Sequence, residues 1–139
     1  MLARREAIES AGFLDERFFM YAEETDLCLR IRRAGWEVWH LPQMTILHHA
    51  DKAGANARME AQGAFARRLY ARKNFSPLHR YCYLAAMLVR HGLRATLLRD
   101  SARRAAARRA LATLVGLSQP PFGSPPPSAV APRHASRSS

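Results

Sequence analysis

The sequence is short of acids, of cysteines and of long apolar runs, and each shortage excludes something. Eleven Asp and Glu stand against 22 Lys and Arg in 139 residues, a formal net charge of +11. Such a balance points first to a polyanion, an anionic membrane or a phosphorylated ligand. Two cysteines, Cys28 and Cys82, lie far apart with no C-x-x-C, so neither a disulfide framework nor a cysteine-based zinc site is expected. A reducing, cytoplasmic compartment is the corresponding expectation. The longest apolar run, Tyr81 to Val89, stops at Arg90-His91 and reaches half the ~20 residues that a spanning helix needs. Met1-Leu2-Ala3 runs into Arg4-Arg5-Glu6, without the apolar core of a signal peptide. No internal repeat occurs, and no helix-turn-helix, zinc or aromatic-platform signature accompanies the basic residues.

The charge is unevenly spread. Residues 1–55 hold seven bases against nine acids, a net −2, whereas residues 56–117 hold thirteen bases against two acids, a net +11. A chain divided in this way is expected to divide its duties as well.

Residue patterning gives an element order. Leu2 to Ala11 reads as a short helix closed by Gly12, followed by an aromatic loop from Phe13 to Tyr21. Glu24 to Ala34 reads as a helix with Leu27, Ile31 and Ala34 on one face and Arg30, Arg32 and Arg33 near its C-terminal end. Trp36 to Leu41 and Met44 to His48 read as two short strands about a Pro42-Gln43 turn. Helices are expected over Asn56–Asn74 and Leu78–Leu98, and Ser101 to Leu117 is an Ala- and Arg-rich helix former with little to bury except Leu111, Leu114 and Val115. From 118 to 139 the Pro- and Ser-rich composition predicts disorder.

Chemistry concentrates in Phe18-Phe19-Met20-Tyr21-Ala22-Glu23-Glu24-Thr25-Asp26, where three carboxylates stand at the positive end of a helix that favours their ionised form. Such a set can take a proton from a hydroxyl, hold sugar hydroxyls or help position a cation. It can equally be helix-start chemistry, with Asp26 paired to Arg30 one turn on. His48 and His49 are the second candidate. Adjacent side chains of a strand point to opposite faces, so one of them at most joins a given site, and a structural histidine is the competing reading.

Arg5-Glu6-Ala7, Gly12-Phe13-Leu14-Asp15-Glu16-Arg17-Phe18-Phe19, Glu23-Glu24-Thr25-Asp26-Leu27-Cys28-Leu29-Arg30, Arg33-Ala34-Gly35-Trp36 and Leu47-His48-His49-Ala50 together resemble the C-terminal half of the family 2 glycosyltransferases, in particular their rhamnosyltransferase-like branch. The resemblance covers roughly residues 1–80. It implies an α/β architecture, the C-terminal part of a GT-A fold, followed by basic helices over 81–117 and the tail over 118–139. It implies inverting transfer of a sugar from a nucleotide-diphospho-sugar to an acceptor hydroxyl, in the synthesis of cell-surface polysaccharide or glycolipid. Glu24 takes the position of the general base, with Glu where the family has Asp, while Glu23 and Asp26 take substrate-binding positions. His48 takes that of a ligand to Mg²⁺ or Mn²⁺, which would neutralise the diphosphate leaving group. Ala50 and Asp51 stand where the family often has glycine.

The family's nucleotide-binding half and its Asp-x-Asp motif have no counterpart in these residues, and the resemblance starts at the first residues. The expectation is therefore a fragment of a glycosyltransferase with little or no activity by itself. Tyr81, Leu84, Met87, Leu88 and Leu93, with Arg80, Arg90, Arg94 and Arg99, suit a helix lying on an anionic bilayer at the inner face of the cytoplasmic membrane, where a lipid-linked acceptor would be met. The alternative from another class is a small basic protein without catalysis that binds nucleic acid or a membrane surface, with Arg58 to Arg109 tracking phosphates. Nucleic acid is the less expected partner.

Overall fold

The computed structural model describes residues 1–43, 45 and 56–122. Five helices follow one another: α1 (Arg5–Ala11), α2 (Glu23–Arg33), α3 (Ala57–Asn74), α4 (Pro77–Leu97) and α5 (Ser101–Val115). Helix makes up 65% of the described residues, and no strand occurs among them. This overturns the expected α/β architecture and GT-A fold: the described chain is all-helical.

The reason is visible at Trp36. A β-forming segment becomes a strand only if another lies beside it to take its hydrogen bonds. Trp36 instead donates its backbone N–H to Ile31 O and its indole N–H to Ser10 Oγ (2.9 Å), which ties the segment to α1 and α2. Val38, Trp39 and Leu41 remain exposed in irregular backbone. Of the second expected strand, Thr45 is irregular and Met44 and Ile46 to His48 lie outside the described residues.

The helix ends follow local chemistry. Asn56 Oδ1 accepts from Arg58 N–H and Asp100 Oδ1 from Arg103 N–H, each at 3.0 Å, so that α3 and α5 start on side-chain caps. Pro77 opens α4, where a missing N–H is harmless. Gly116 ends α5 at φ +87°, with the Leu117 N–H returning to Ala112 O at 2.8 Å. The Arg68 guanidinium lies against Gly116, where any Cβ would come within 2.8 Å of it, so a cation sits at the negative end of α5.

Two small cores result. Ala7, Leu27 and Ile31, flanked by Ala11 and Trp36, join α1 to α2. Ala64, Ala110 and Leu114, flanked by Leu84, Met87 and Leu88, join α3, α4 and α5. Ala61, Ala106 and Ala107 are also fully enclosed, so α5 packs chiefly through alanines that let helix backbones approach closely. Val115, expected to be buried, is exposed. Residues 119–122 are not a free tail: Pro120 is buried and the Phe122 ring stacks on Phe19 at 5.7 Å, with the Arg58 guanidinium 5.0 Å from its centre.

His91 is enclosed on the inner side of α4, and neither ring nitrogen has a partner among the described residues. Burial, then the charges of Arg90, Arg67 and Arg94, depress its pKa against the opposing pull of Glu60. The unfolded chain, with a histidine pKa of about 6.5, therefore binds the proton more readily. Stability is expected to be full above that pH and to fall as the pH drops towards the lower folded value. Thermal melts followed by circular dichroism between pH 8 and 5 measure this, and His91→Gln should flatten the dependence.

Candidate functional site

Glu23 and Glu24 open α2 immediately after two residues in the left-handed region, Tyr21 (φ 70°) and Ala22 (φ 66°). Such a conformation costs a non-glycine residue about 1–3 kcal/mol and persists only where the surroundings impose it. Here they do. Phe18 is buried with its ring 5.8 Å from Lys73 Nζ, Phe19 stacks on Phe122, and Tyr21 lies beside Gly63 of α3, where a Cβ would be 3.7 Å from its ring.

Beneath this loop lies a network of buried charge centred on Asp26, which has no exposed surface. Its Oδ2 accepts from Arg30 Nε (2.9 Å) and Lys73 Nζ (2.7 Å), and its Oδ1 accepts from Asn74 Nδ2 (2.9 Å). Lys73 Nζ also donates to Asp15 Oδ2 at 2.7 Å, and Asp15 in turn grips the Arg17 guanidinium at 2.6 Å. Arg30 extends the network to the end of α1, donating to the carbonyls of Ala11, Gly12 and Phe13. Burial acts to raise the Asp26 carboxyl, but the hydrogen bonds from Lys73, Asn74 and Arg30 outweigh it and hold the group below its ordinary value. Asp15 has the same balance, burial opposed by Arg17 and Lys73, and lies well below the usual carboxylate range.

Asp26 thus differs from its expected substrate-binding role: both oxygens are taken by the protein and none of its surface is open to a ligand. Helix geometry explains why. Positions two apart on an α-helix are turned by about 200°, so Glu24 and Asp26 cannot share a face. Asp26, Arg30 and Arg33 turn towards the end of α3, where Arg33 also reaches Asn74 Oδ1 at 3.3 Å. Glu24, exposed, stands one turn before Cys28 and two before Ile31 on the other side. Cys28 and Ile31, with Trp36 and Trp39, line a cleft of about 650 Å³ that Met1 to Arg4 also border. Glu23 is half-buried, and its Oε2 is enclosed without a hydrogen-bond partner among the described residues, a costly state for a carboxylate oxygen.

The metal expectation cannot be placed in this geometry. His48 and its neighbour His49 lie outside the described residues. Among the described residues no group of three or more His, Cys, Asp and Glu could hold a metal ion, and the Asp26 oxygens are already taken by Arg30, Lys73 and Asn74. The described set does not fit a metal centre. Lys73 and Asn74, and the link from Lys73 to Asp15, were not legible in the sequence because these partners lie 47 to 58 positions apart. The one available signal was the spacing of Asp26 and Arg30, which showed a pair but not the third and fourth partners.

No family model and no solved structure matches the chain. A stretch of 49 residues, 35% of the chain, is 45% identical to an N-acetylglucosaminyl-diphospho-decaprenol L-rhamnosyltransferase of Mycobacterium tuberculosis, in both strain CDC 1551 / Oshkosh and strain ATCC 25618 / H37Rv. That stretch spans 16% of the length of these curated relatives. Over this part, the chain is similar to a glycosyltransferase.

Removing the Asp26 charge tests the network. Asp26→Asn leaves Lys73 and Arg30 facing a neutral amide and should lower unfolding stability by about 3 kcal/mol, measured by urea denaturation. Because the folded values of Asp15 and Asp26 are depressed, their contribution is present above the unfolded carboxyl pKa of about 3.9 and is lost as the pH falls below it. The Asp26→Asn variant should lose correspondingly less stability on acidification.

Proposed function

We propose that the chain carries the acceptor-activating part of a glycosyltransferase, with Glu24 as general base. The reading rests on the 49-residue similarity to the mycobacterial rhamnosyltransferase, taken together with the site at the start of α2. Glu24 is exposed there while the helix that bears it is fixed from the opposite face by the buried Asp26 network. A base must be accessible to its substrate and rigidly held, and burying one carboxylate of the cluster while exposing another meets both requirements.

In this reading Glu24 removes the proton of an acceptor hydroxyl as its oxygen attacks the anomeric carbon of a nucleotide-diphospho-sugar from the side opposite the leaving group. The C–O bond to the acceptor forms, the bond to the diphosphate breaks, and the anomeric configuration inverts. Glu23, half-buried beside Glu24, is the proposed contact to a sugar hydroxyl. Asp26 is a positioning residue, acting through α2 and not on the sugar. A divalent cation near His48 belongs to the proposal through the family resemblance only, and no step here is routed through it. The acceptor class is proposed to be a cell-surface polysaccharide or glycolipid precursor, in line with the lipid-diphosphate acceptor named for the relative. The division of the chain into a transferase part over 1–80 and a basic helical part over 81–117 is proposed on the same footing.

The test is a chimera of the mycobacterial enzyme in which residues 12–35 of this chain replace their counterparts. It should retain transfer within about tenfold, and Glu24→Gln in the chimera should lower kcat by about 10²–10⁴ with little change in KM. A fully active Glu24→Gln chimera removes Glu24 from the base role, and a folded but inactive parent chimera removes the reading as a whole. Titration calorimetry of the 139-residue chain by itself with a nucleotide-diphospho-sugar and Mn²⁺ is expected to show no tight, metal-dependent complex.

A further inference from the structure

Helix α4 is apolar on both sides. Leu84, Met87 and Leu88 pack inward against the core of α3 and α5, and His91 and Ala95 are buried along the same stripe. Turned outward are Leu78 (72% exposed), Tyr81 (66%), Val89 (61%), Leu93 (53%) and Leu97 (74%), with Cys82, Ala85 and Ala86 exposed between them. At 3.6 residues per turn these positions fill about 160° of the helix circumference, an arc without Arg, Lys, Asp or Glu. Helices apolar on both sides are normally covered, and this arc, interrupted only by His79 and Thr96, is open.

Charge points to its occupant. Helix α4 contains no acid at all, and residues 56–117 hold thirteen bases against two acids. Arg90 is exposed at one margin of the arc and Arg99 is exposed just beyond the helix, whereas the half-buried Arg80 stands opposite the arc's centre with its guanidinium 5.4 Å from the Tyr81 ring. Arg94 on the same flank is already paired with Glu60 at 2.7 Å. A second copy of this chain would bring the same arginines to a symmetric contact with no acid of α4 to meet them. An anionic lipid surface offers what both parts need, an acyl region for the arc and phosphates for the arginines at its margin.

We propose that α4 lies in the plane of an anionic lipid bilayer, with Leu78, Tyr81, Val89, Leu93 and Leu97 immersed and Arg90 and Arg99 at the headgroups. No described helix is long and apolar enough to cross the bilayer, so the contact is superficial. The immersed face differs from the one read from sequence: Leu84, Met87 and Leu88 hold α5, and the opposite side meets lipid. The lipid contact does not depend on the transferase reading.

Flotation of the full chain with vesicles of phosphatidylcholine alone, or containing phosphatidylglycerol, tests it. Binding is expected with the anionic vesicles and should weaken with salt. Val89→Glu and Leu93→Glu, both at exposed positions and checked for helix content by circular dichroism, should each lower partitioning about tenfold or more, and Arg90→Glu several-fold. In a Cys28→Ser background, an environment-sensitive dye on Cys82 should shift to the blue on anionic vesicles only. Unchanged binding of the glutamate variants, equal binding to neutral vesicles, or a dimer in light scattering that Leu93→Glu dissociates while vesicles leave the chain unbound would each overturn the proposal. Glu24→Gln lies on α2 and should float like the unaltered chain, so failure of transfer and failure of lipid contact are read separately.

Discussion

A carboxylate without exposed surface must find its counter-charges inside the protein, and the arrangement around Asp26 follows from that requirement. One oxygen gathers Arg30 and Lys73 and the other takes Asn74, so α2 cannot leave the end of α3 without stranding an ion. Arg30 carries the constraint to the last carbonyl of α1 and the two that follow it. Lys73 carries it to Asp15 and, over the Phe18 ring, to the aromatic loop. The apolar contacts between α1 and α2 are few, Ala7, Leu27 and Ile31 with two flanking residues, so polar geometry does much of the positioning here.

The other half of the chain is assembled differently. Helices α3 and α5 meet through Ala61, Ala64, Ala106, Ala107 and Ala110, which permit close approach but bury little area each. Helix α4 contributes the larger side chains Leu84, Met87 and Leu88 from one face only. Two polar side chains, Gln62 and His91, are enclosed there without partners among the described residues, so apolar shape does most of the holding in this core. The two halves also separate the chemistry, since the candidate base stands on α2 and the excess arginine stands on α3 to α5.

Much of the helical layout was legible before any coordinates. Gly12 marks the end of α1 with positive φ and Asn56 the start of α3, whereas the helix read through to Leu117 stops at Val115, with Gly116 turning the chain. The strand expected at Trp36 to Leu41 failed because β-propensity describes a residue's fit to a sheet, and no neighbouring strand lies among the described residues. In the candidate site, the acidic cluster was readable as a cluster, but its internal division was not. Glu24 and Asp26 looked like one constellation in a linear reading, yet a helix turns them apart.

Composition and local pattern by themselves determined the number and placement of the helices, the split of charge at about residue 56, and the presence of a carboxylate group at a helix start. Those properties depend on neighbours within a turn or two, and short-range chemistry is written in the residue order. Only the tertiary structure decided which carboxylate is buried and which is free, because Lys73 and Asn74 lie 47 and 48 positions from Asp26. It likewise decided which side of α4 faces inward, because both sides are apolar and the choice depends on where α5 settles.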